Sequence, residues 1–308
     1  MIRKLTKEIL NFIMIEIDEI GIALGSLIEK NIEIEEKFKL KKGSLYNLTG
    51  IKQRNISNKT ETAESLAIQA CKHLNKSNIK KITHIISVTN TPSITFPGIS
   101  NYLSSELNLS NVHCINLNQG CTGFVDALEI SYELIKNDNK ARILLVTSDT
   151  YSKFINKNSK AIRCLFSDGS ASTIIKYKKN GLKLKKKIFR NSLNTENDLT
   201  LTNNEIKMNG PAIVSFAIKD VIPQIVNLSK NVNCIFSHQA GKIVMNEIKK
   251  KINSKIFFPV NYANYGNLVS TSIPLLLKQN IKKFRSEKKI LICGFGVGLS
   301  ASIILFNR

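Results

Sequence analysis

Short apolar runs alternate with amphipathic stretches along most of the chain. Continuous runs of isoleucine, valine and leucine are typical of strands that are buried on both faces. The strands predicted in this way are residues 82–88, 112–117, 142–147, 171–176, 232–237, 256–260, 289–293 and 300–306. Apolar residues at helical spacing predict helices over residues 64–74, 122–136, 213–227 and 242–252. Strands that alternate with helices favour an α/β fold.

The order of these elements is repeated in the second part of the chain. Residues 82–87 resemble residues 232–237, and residues 169–175 resemble residues 298–304. Chance similarity between apolar strands explains part of the match, but the shared order favours an internal duplication. A site between two such halves would collect loops from both.

The basic stretch at residues 176–187 is the natural midpoint of the duplication. We therefore divide the chain into an N-terminal half, residues 1–176, and a C-terminal half, residues 177–308. No linker rich in proline, glycine or serine separates them, so we expect the two halves to pack closely.

Composition places the chain among ordinary globular proteins. It has 308 residues, of which 43% are hydrophobic and 22% are charged, so disorder, collagen and coiled coil are excluded for the chain as a whole. No uncharged apolar run reaches the ~18 residues of a membrane span, and we expect none. Residues 1–7 are basic, but the acidic residues after them interrupt the apolar core that a signal peptide needs.

The six cysteines are scattered, without a CxxC pair or a metal-ligand spacing. We expect reduced thiols, no metal site and a cytoplasmic location. The net charge of +22 is large, and it has two readings. Lysine is spread along the whole chain with asparagine and isoleucine, which favours a compositional bias, while an acidic partner is the alternative. No basic helix with interleaved aromatic residues is present, so we expect no nucleic-acid binding.

Cys121 has the most reactive setting among the cysteines. It follows a predicted strand and a turn with Gly120, and it precedes a predicted helix. The positive end of the helix dipole lowers the pKa of a thiol and raises its thiolate fraction, so we expect a reactive cysteine. A buried, inert thiol at the same place is the open alternative.

Two further residues lie at positions that suit a site between the halves. His238 ends a predicted strand, where catalytic residues of α/β folds are often found, although a structural histidine also fits. Asn267 follows Gly266, and this pair corresponds to Gly120 and Cys121 in the duplication, although a helix N-cap also fits. The glycine-rich stretch at residues 294–298 precedes a strand instead of a helix, so it does not predict a dinucleotide site.

Taken together, these segments resemble the β-ketoacyl-acyl-carrier-protein synthase III family of the thiolase superfamily. The matching segments, in the family's order and spacing, are residues 49–54, 116–124, 165–171, 208–210, 238–240, 266–274 and 294–298. The resemblance implies an α/β, thiolase-like fold, a duplicated five-layered α-β-α-β-α sandwich, and a homodimer. It also implies an enzyme that loads an acyl group and condenses it with malonyl-acyl-carrier protein with loss of CO₂.

The same resemblance implies roles for individual residues. Cys121 matches the nucleophile that takes the acyl group. His238 and Asn267 match the pair that donates hydrogen bonds to the second thioester's carbonyl oxygen. The backbone N–H groups of Cys121 and Val297 match an oxyanion hole. Phosphopantetheine thioesters arrive as substrates, so neither a bound cofactor nor a metal is expected.

Partner-binding residues are implied as well. Phe96 matches a residue that lines the acyl pocket of the dimer partner. Lys242, Lys249, Lys250 and Lys251 lie on the helix that meets the acidic carrier protein. The carrier of the acyl primer stays open between coenzyme A and carrier protein. The alternative function is an acyltransferase of the same fold, which moves an acyl group from a thioester to a hydroxyl, amino or sugar acceptor.

Overall fold

A computed structural model describes residues 13–308, so residues 1–7, on which the signal-peptide prediction depends, lie outside it. The strands are β1 Ile15–Leu24, β2 Leu27–Lys30, β3 Gln53–Ile56, β4 His84–Val88, β5 His113–Leu117, β6 Arg142–Asp149, β7 Gly169–Tyr177, β8 Lys183–Asn191, β9 Leu199–Thr202, β10 Glu205–Met208, β11 Cys234–Ser237, β12 Lys289–Gly296 and β13 Ser300–Asn307.

The α-helices are α1 Asn31–Lys37, α2 Ser44–Thr49, α3 Ala63–Lys72, α4 Lys76–Ile79, α5 Ile99–Glu106, α6 Gly123–Asn137, α7 Lys160–Arg163, α8 Gly210–Phe216, α9 Ile222–Ser229, α10 Lys242–Lys251, α11 Tyr262–Tyr265, α12 Ser272–Gln279 and α13 Ile281–Ser286. Short 3-10 turns cover Tyr151–Phe154, Val269–Thr271 and Val297–Leu299, and a π-helical turn covers Ala217–Val221.

Two mixed sheets reproduce the predicted duplication. The first has the order β1-β7-β6-β4-β5, and the second has the order β11-β12-β13-β8. In the first, β4 is parallel to β5 and β6, while β7 is antiparallel to both of its neighbours. In the second, β11 is parallel to β12, and β13 is antiparallel to both of its neighbours. Every strand of the first sheet ends by Tyr177, and every strand of the second begins at or after Lys183.

The helices and sheets form the five layers that the family resemblance implies. Buried residues of α6 and α12 pack between the two sheets, where they join apolar residues of β6 and β12 in one core. Helices α3 and α5 cover the outer face of the first sheet. Helices α9 and α10 cover the outer face of the second sheet. The layer order is therefore α-β-α-β-α.

Several elements differ from the sequence prediction. The stretch at residues 176–187, predicted as a polar midpoint, contains the start of β8, an edge strand whose lysines are typical of exposed edges. Strand β1 was missed because a bulge between Ile17 and Glu19 breaks its alternation of apolar and polar residues. Residues 256–260 form no strand, and Phe257 makes a single bridge to Cys234.

A continuous helical run, Gly210–Ser229, joins α8, the π-helical turn and α9. Its 20 residues are long and apolar enough to cross a membrane by length and composition, although they include Lys219 and Asp220. Only about a third of it is buried. Its buried side chains, among them Phe216, Val221 and Ile225, belong to the hydrophobic cluster on the outer face of the second sheet. Core helices of ordinary domains can meet the same criterion of length and composition.

Candidate active site

A single cavity brings the three predicted catalytic residues together. Cys121, His238 and Asn267 all line it, and its volume of about 620 Å³ lies within the usual range of ligand pockets. Helix α8 and the first turn of α10 supply part of its apolar wall, and Leu165, Phe166 and Phe295 supply another part. The cavity therefore combines a thiol, an imidazole and an amide in a mostly apolar environment.

The two sheets deliver these residues from opposite sides. Cys121 follows β5 and lies at the start of α6, in the N-terminal half. His238 directly follows β11, in the C-terminal half. Asn267 follows α11 and is tied to the N-terminal half, because its N–H donates to the Leu165 carbonyl at 2.9 Å and its carbonyl accepts from Ser167 N–H at 2.9 Å. The site lies where the halves meet, as the duplication predicts.

The loop after β12 packs directly against Cys121. A Cβ built at Gly296 would lie 2.8 Å from Cys121 Sγ, and one built at Gly294 would lie 2.5 Å from the Cys121 carbonyl oxygen. Both distances are shorter than carbon atoms tolerate, so only glycine permits this approach. The glycine-rich stretch thus brings the backbone of the C-terminal half, including Val297, up to the thiol.

The protonation of Cys121 differs from the sequence expectation. Burial, followed by the Asp149 carboxylate, raises the pKa of Cys121 to about 12, while the backbone N–H groups of Val297 and Cys121 oppose this with a smaller lowering. The predicted lowering of the pKa by the helix dipole is wrong, because the thiol is only 3% exposed and desolvation dominates. A thiol that is protonated at neutral pH needs a proton acceptor before it can attack.

His238 presents such an acceptor. Its Nδ1 lies 3.1 Å from the Val269 carbonyl oxygen, which can only accept, so Nδ1 carries the proton. Burial lowers the pKa of His238 to about 4, and the ring is neutral at pH 7. In the neutral ring Nε2 then carries a lone pair. The family resemblance implies that His238 and Asn267 both donate hydrogen bonds. In this geometry, however, His238 can donate from Nε2 only after it takes up a second proton.

Asn267 is oriented by its own backbone. Its Oδ1 accepts a hydrogen bond from the Val269 N–H at 2.9 Å, an Asx-type turn. This bond occupies the amide oxygen, so the amide nitrogen is the group of Asn267 that can donate to a ligand. The N-cap interpretation of the sequence is therefore wrong, because Leu268 holds the N-cap position, while the Asn267 side chain closes a turn before it and lines the cavity.

Val269 connects His238 and Asn267, and the sequence analysis did not identify it. Its N–H bonds Asn267 and its carbonyl bonds His238, so one residue orients both side chains. It is fully buried and has a φ of 51°, which is an outlier for a β-branched residue. Strained backbone of this kind clusters at functional sites. No property of the sequence marks a valine in this conformation.

The lysines predicted to meet a carrier protein lie at two places on α10. Lys242 lines the cavity, and its Nζ donates to the Asn47 carbonyl at 3.1 Å. Lys249, Lys250 and Lys251 are exposed in the last turn, about 12 Å further along the axis at 1.5 Å per residue. The structure therefore places one of the four lysines at the cavity and three beyond it.

Phe96 is not brought to the cavity within one chain. Its side chain is 88% exposed on the loop between β4 and α5. The base of this loop is fixed by the buried Glu64 carboxylate, which accepts from Ser93 N–H at 2.9 Å and from Ile94 N–H at 3.1 Å. An ordered loop therefore carries an exposed aromatic ring.

No group of three or more histidine, cysteine, aspartate or glutamate side chains within residues 13–308 could hold a metal ion. The six cysteines are all free thiols.

Two family models match the chain. The model for 3-oxoacyl-[acyl-carrier-protein] synthase III matches residues 115–193, and its C-terminal counterpart matches residues 228–308. The chain is 30% identical over 284 residues to β-ketoacyl-[acyl-carrier-protein] synthase III of Streptococcus agalactiae serotype III, which covers 82% of this chain and 86% of the relative. It is 31% identical over 280 residues to the synthase of the same name from Clostridium botulinum strain 657, with the same coverage.

Solved structures agree with the fold. A crystal structure of 3-oxoacyl-(acyl-carrier-protein) synthase III superposes with a TM-score of 0.88 at 24% identity, over 96% of this chain and all of that one. Similarity at this level of identity supports the arrangement of the layers, including the central pair of helices that separates the two sheets.

Proposed function

The chain belongs to the 3-oxoacyl-[acyl-carrier-protein] synthase III family, and on that premise we propose how its own residues carry out the condensation. It is a condensing acyltransferase that acts on an acyl-thioester and on malonyl-acyl-carrier protein in fatty-acid biosynthesis. The observation that carries our proposal is the single cavity lined by Cys121, His238 and Asn267, two of which are oriented by Val269.

In the first step the acyl group moves to Cys121. His238 Nε2 takes the thiol proton, and the sulfur attacks the thioester carbonyl. The backbone N–H groups of Cys121 and Val297 hold the resulting oxyanion, a role supported by their stabilisation of the thiolate. Collapse breaks the bond to the pantetheine sulfur, which leaves with the proton from His238. Acylation thus returns the imidazole to its neutral form.

In the second step the malonyl thioester loses CO₂ and leaves an enolate. The Asn267 amide nitrogen donates to the enolate oxygen. The negative malonyl carboxylate raises the pKa of His238 from its value of about 4, so the ring takes up a proton from solvent and donates from Nε2. The enolate carbon then attacks the acyl-Cys121 carbonyl and displaces the Cys121 thiolate, which takes the proton from His238.

The proposal is tested by following the covalent intermediate. The protein is incubated with a panel of acyl-thioesters, and intact mass and peptide mapping locate the adduct. We expect the added acyl mass on Cys121, and its loss when malonyl-acyl-carrier protein is added. An adduct on another cysteine, or no adduct with any thioester, would contradict the proposal.

We also propose a homodimer. The ring of Phe96 is exposed on a fixed loop, and β5 is an edge strand of the first sheet that has no strand on its outer side within residues 13–308. A second copy that pairs along β5 would cover both features and bring Phe96 toward the partner's acyl site. Sedimentation at equilibrium would give a mass twice that of the chain. A concentration-independent monomer would contradict this assembly.

The carrier-protein surface and the location complete the proposal. Lys242 at the cavity and Lys249, Lys250 and Lys251 beyond it would meet the acidic carrier by charge complementarity. The free cysteines of the described chain support a cytoplasmic location, since disulfides are rare there.

A further inference from the structure

We infer that Asp149 is a positioning residue for Cys121: it fixes the turn that carries the nucleophile, and its negative charge keeps the resting thiol protonated. The inference rests on the proposed function, because it concerns how the same thiol is made ready for acyl transfer. Asp149 is the last residue of β6, and its side chain is only 1% exposed. It does not line the cavity, so it acts on the thiol through the protein interior.

One oxygen of the carboxylate organises the loop that follows β4. Oδ1 accepts hydrogen bonds from the Asn90 N–H at 2.8 Å, the Thr91 hydroxyl at 3.0 Å and the Thr89 hydroxyl at 3.3 Å. The Thr91 hydroxyl in turn accepts from the Thr150 N–H at 2.8 Å. These bonds tie the loop at residues 89–91 to the end of β6.

Asn90 connects this loop to the turn before Cys121. Its Nδ2 donates to Oδ1 of Asn118, which lies between β5 and the nucleophile, at 2.6 Å. A Cβ built at Gly120 would lie 3.0 Å from Asn90 Oδ1, so the amide also contacts the residue before Cys121. The Tyr151 hydroxyl donates to the same Oδ1 at 3.0 Å and holds the amide in this orientation. The carboxylate therefore fixes the turn of the nucleophile through one intermediate residue.

The other oxygen leaves the charge of Asp149 without a partner. Oδ2 is buried and has no hydrogen-bond partner among the described residues. None of the ion pairs within residues 13–308 includes Asp149. The titratable groups that interact with it are Asp168, Cys121 and Tyr151, and none of them is a cation. Burial above all raises the pKa of Asp149 to about 7, so its charge changes near neutral pH.

This charge acts against the thiolate of Cys121. After burial, the ionised Asp149 carboxylate is the largest cause that raises the pKa of the thiol, because two negative charges in a dry interior repel each other. The thiolate is the form that is oxidised and that reacts with electrophiles, so a protonated thiol resists both. The resting protein is thus protected until a thioester binds and His238 takes the proton.

The test follows alkylation of Cys121 by iodoacetamide between about pH 5.5 and about pH 9, with peptide mapping to separate this thiol from the other cysteines. In the wild type, the logarithm of the rate should rise with pH, flatten just above pH 7 as Asp149 ionises, and then rise again. The pKa of His238 is about 4, so its titration lies outside this range. A wild-type profile without the flat region would overturn the inference.

Asp149→Asn removes the charge and nearly keeps the shape of the side chain. It should match the wild type at about pH 5.5, where Asp149 is already neutral. At about pH 8.5 it should react about tenfold faster, since a nearby charge shifts a pKa by about one unit or more. A structural effect alone would change the rate by the same factor at both pH values, and that result would also overturn the inference. Asp149→Ser serves if the asparagine variant fails to fold.

Asp168 provides the matched control. It is also a buried carboxylate, and it accepts from the Ser57 N–H at 2.7 Å and from the Ser152 N–H at 2.9 Å. Its charge adds to burial in raising the pKa of Asp149. Asp168→Asn should therefore keep the flat region and move it to lower pH. If Asp168→Asn removed the flat region and Asp149→Asn kept it, the inference would be wrong.

The link through Asn90 is tested by acyl loading. Asn90→Ala removes the contacts with Asn118 and Gly120 but keeps the backbone N–H that binds Asp149. It should slow loading of Cys121 from an acetyl-thioester by about tenfold or more, because a small misplacement of a reacting group is costly. The flat region near pH 7 should remain. An unchanged loading rate would overturn the positioning role.

The outcomes distinguish this inference from the proposed function. A wild-type protein that shows the expected profile with iodoacetamide, but forms no adduct on Cys121 with any acyl-thioester, would overturn the proposed function and support the effect of the Asp149 charge. A protein that loads the acyl group but shows no flat region would overturn the role of Asp149 alone.

Discussion

Cys121 and Asn267 occupy matching positions in the two halves, but their surroundings differ. Each directly follows a glycine, Gly120 or Gly266. After Cys121 the chain enters the 15-residue helix α6, and backbone N–H groups surround the sulfur. After Asn267 the chain makes a 3-10 turn through Val269, whose N–H binds the amide oxygen. Duplication repeats the position, while the backbone that follows gives the two side chains different surroundings, which suit the nucleophile and the oriented donor of the proposed function.

The ends of β4 and β11 extend the comparison. In the C-terminal half, β11 is followed by His238, which lines the cavity. In the N-terminal half, β4 is followed by Thr89, whose hydroxyl bonds the buried Asp149 carboxylate at 3.3 Å. In the proposed function, one half therefore supplies the nucleophile, and the other supplies the groups that handle protons and charge. The predictions below separate these two contributions.

Removing the nucleophile should have the largest effect. Cys121→Ser is nearly isosteric, but a serine hydroxyl is a much weaker nucleophile, so acyl loading should fall by about 10⁴-fold or more. Intact mass after incubation with an acyl-thioester measures this. Full loading of Cys121→Ser would show that the acyl group is attached to another residue. It would contradict the assignment of the nucleophile to the N-terminal half.

Removing the imidazole should affect both steps. His238→Ala loses the proton acceptor for loading and the donor for decarboxylation, and general acid-base groups contribute about 10² to 10⁴-fold. Single-turnover loading and release of CO₂ from malonyl-carrier protein are the two measurements. If loading were unchanged while decarboxylation fell, Nε2 would not be the acceptor of the Cys121 proton. His238 would then act only as a hydrogen-bond donor in the second step.

The buried imidazole of His238 should also make the free energy of unfolding depend on pH. Its pKa is about 4 when folded against 6.5 in the unfolded chain, so the unfolded state binds more protons between these values. Stability should therefore fall as pH drops from about 6.5 to 4, by about 3 kcal/mol in total. Urea unfolding of the wild type and His238→Gln at pH 7 and pH 5 measures the difference. A variant with the same pH dependence as the wild type would show that His238 is not buried and neutral.

The smallest effect concerns encounter with the carrier. Changing Lys249, Lys250 and Lys251 together to glutamate should raise KM for malonyl-carrier protein by about tenfold at low salt, because charge complementarity speeds association. Reaction with a small acyl-thioester mimic should stay nearly unchanged. The difference should shrink as the screening length falls to ~3 Å near 1 M salt. Equal loss with both substrates would mean that these lysines support the fold.

Much of the site could be predicted because its residues lie in local patterns. Cys121 and His238 each follow a buried apolar run, and such runs can be recognised in the sequence. The protonation states could not be predicted in this way. They depend on burial in the assembled fold, which raises the pKa of Cys121 instead of lowering it.

Other features depend on contacts that sequence does not encode locally. The tautomer of His238 is set by the Val269 carbonyl, from a residue 31 positions away. The buried cluster that contains Cys121 and Tyr151 is equally non-local, because the two residues follow β5 and β6 and come together only when these strands lie in the same sheet. The start of β8 was missed because its lysines resemble a solvated linker, whereas antiparallel pairing with β13 makes it a strand.

The most direct test of the central claim follows the acyl-enzyme in Asn267→Ala. The claim is that Cys121 of the N-terminal half carries the acyl group, and that Asn267 of the C-terminal half is needed only to activate the second substrate. The variant is incubated with an acetyl-thioester and then with malonyl-carrier protein, and the mass of the Cys121 peptide is followed in time. We predict that the adduct forms at the wild-type rate and then persists, with decarboxylation lowered by about 10² to 10³-fold. Failure to form the adduct, or its discharge at the wild-type rate, would contradict the claim.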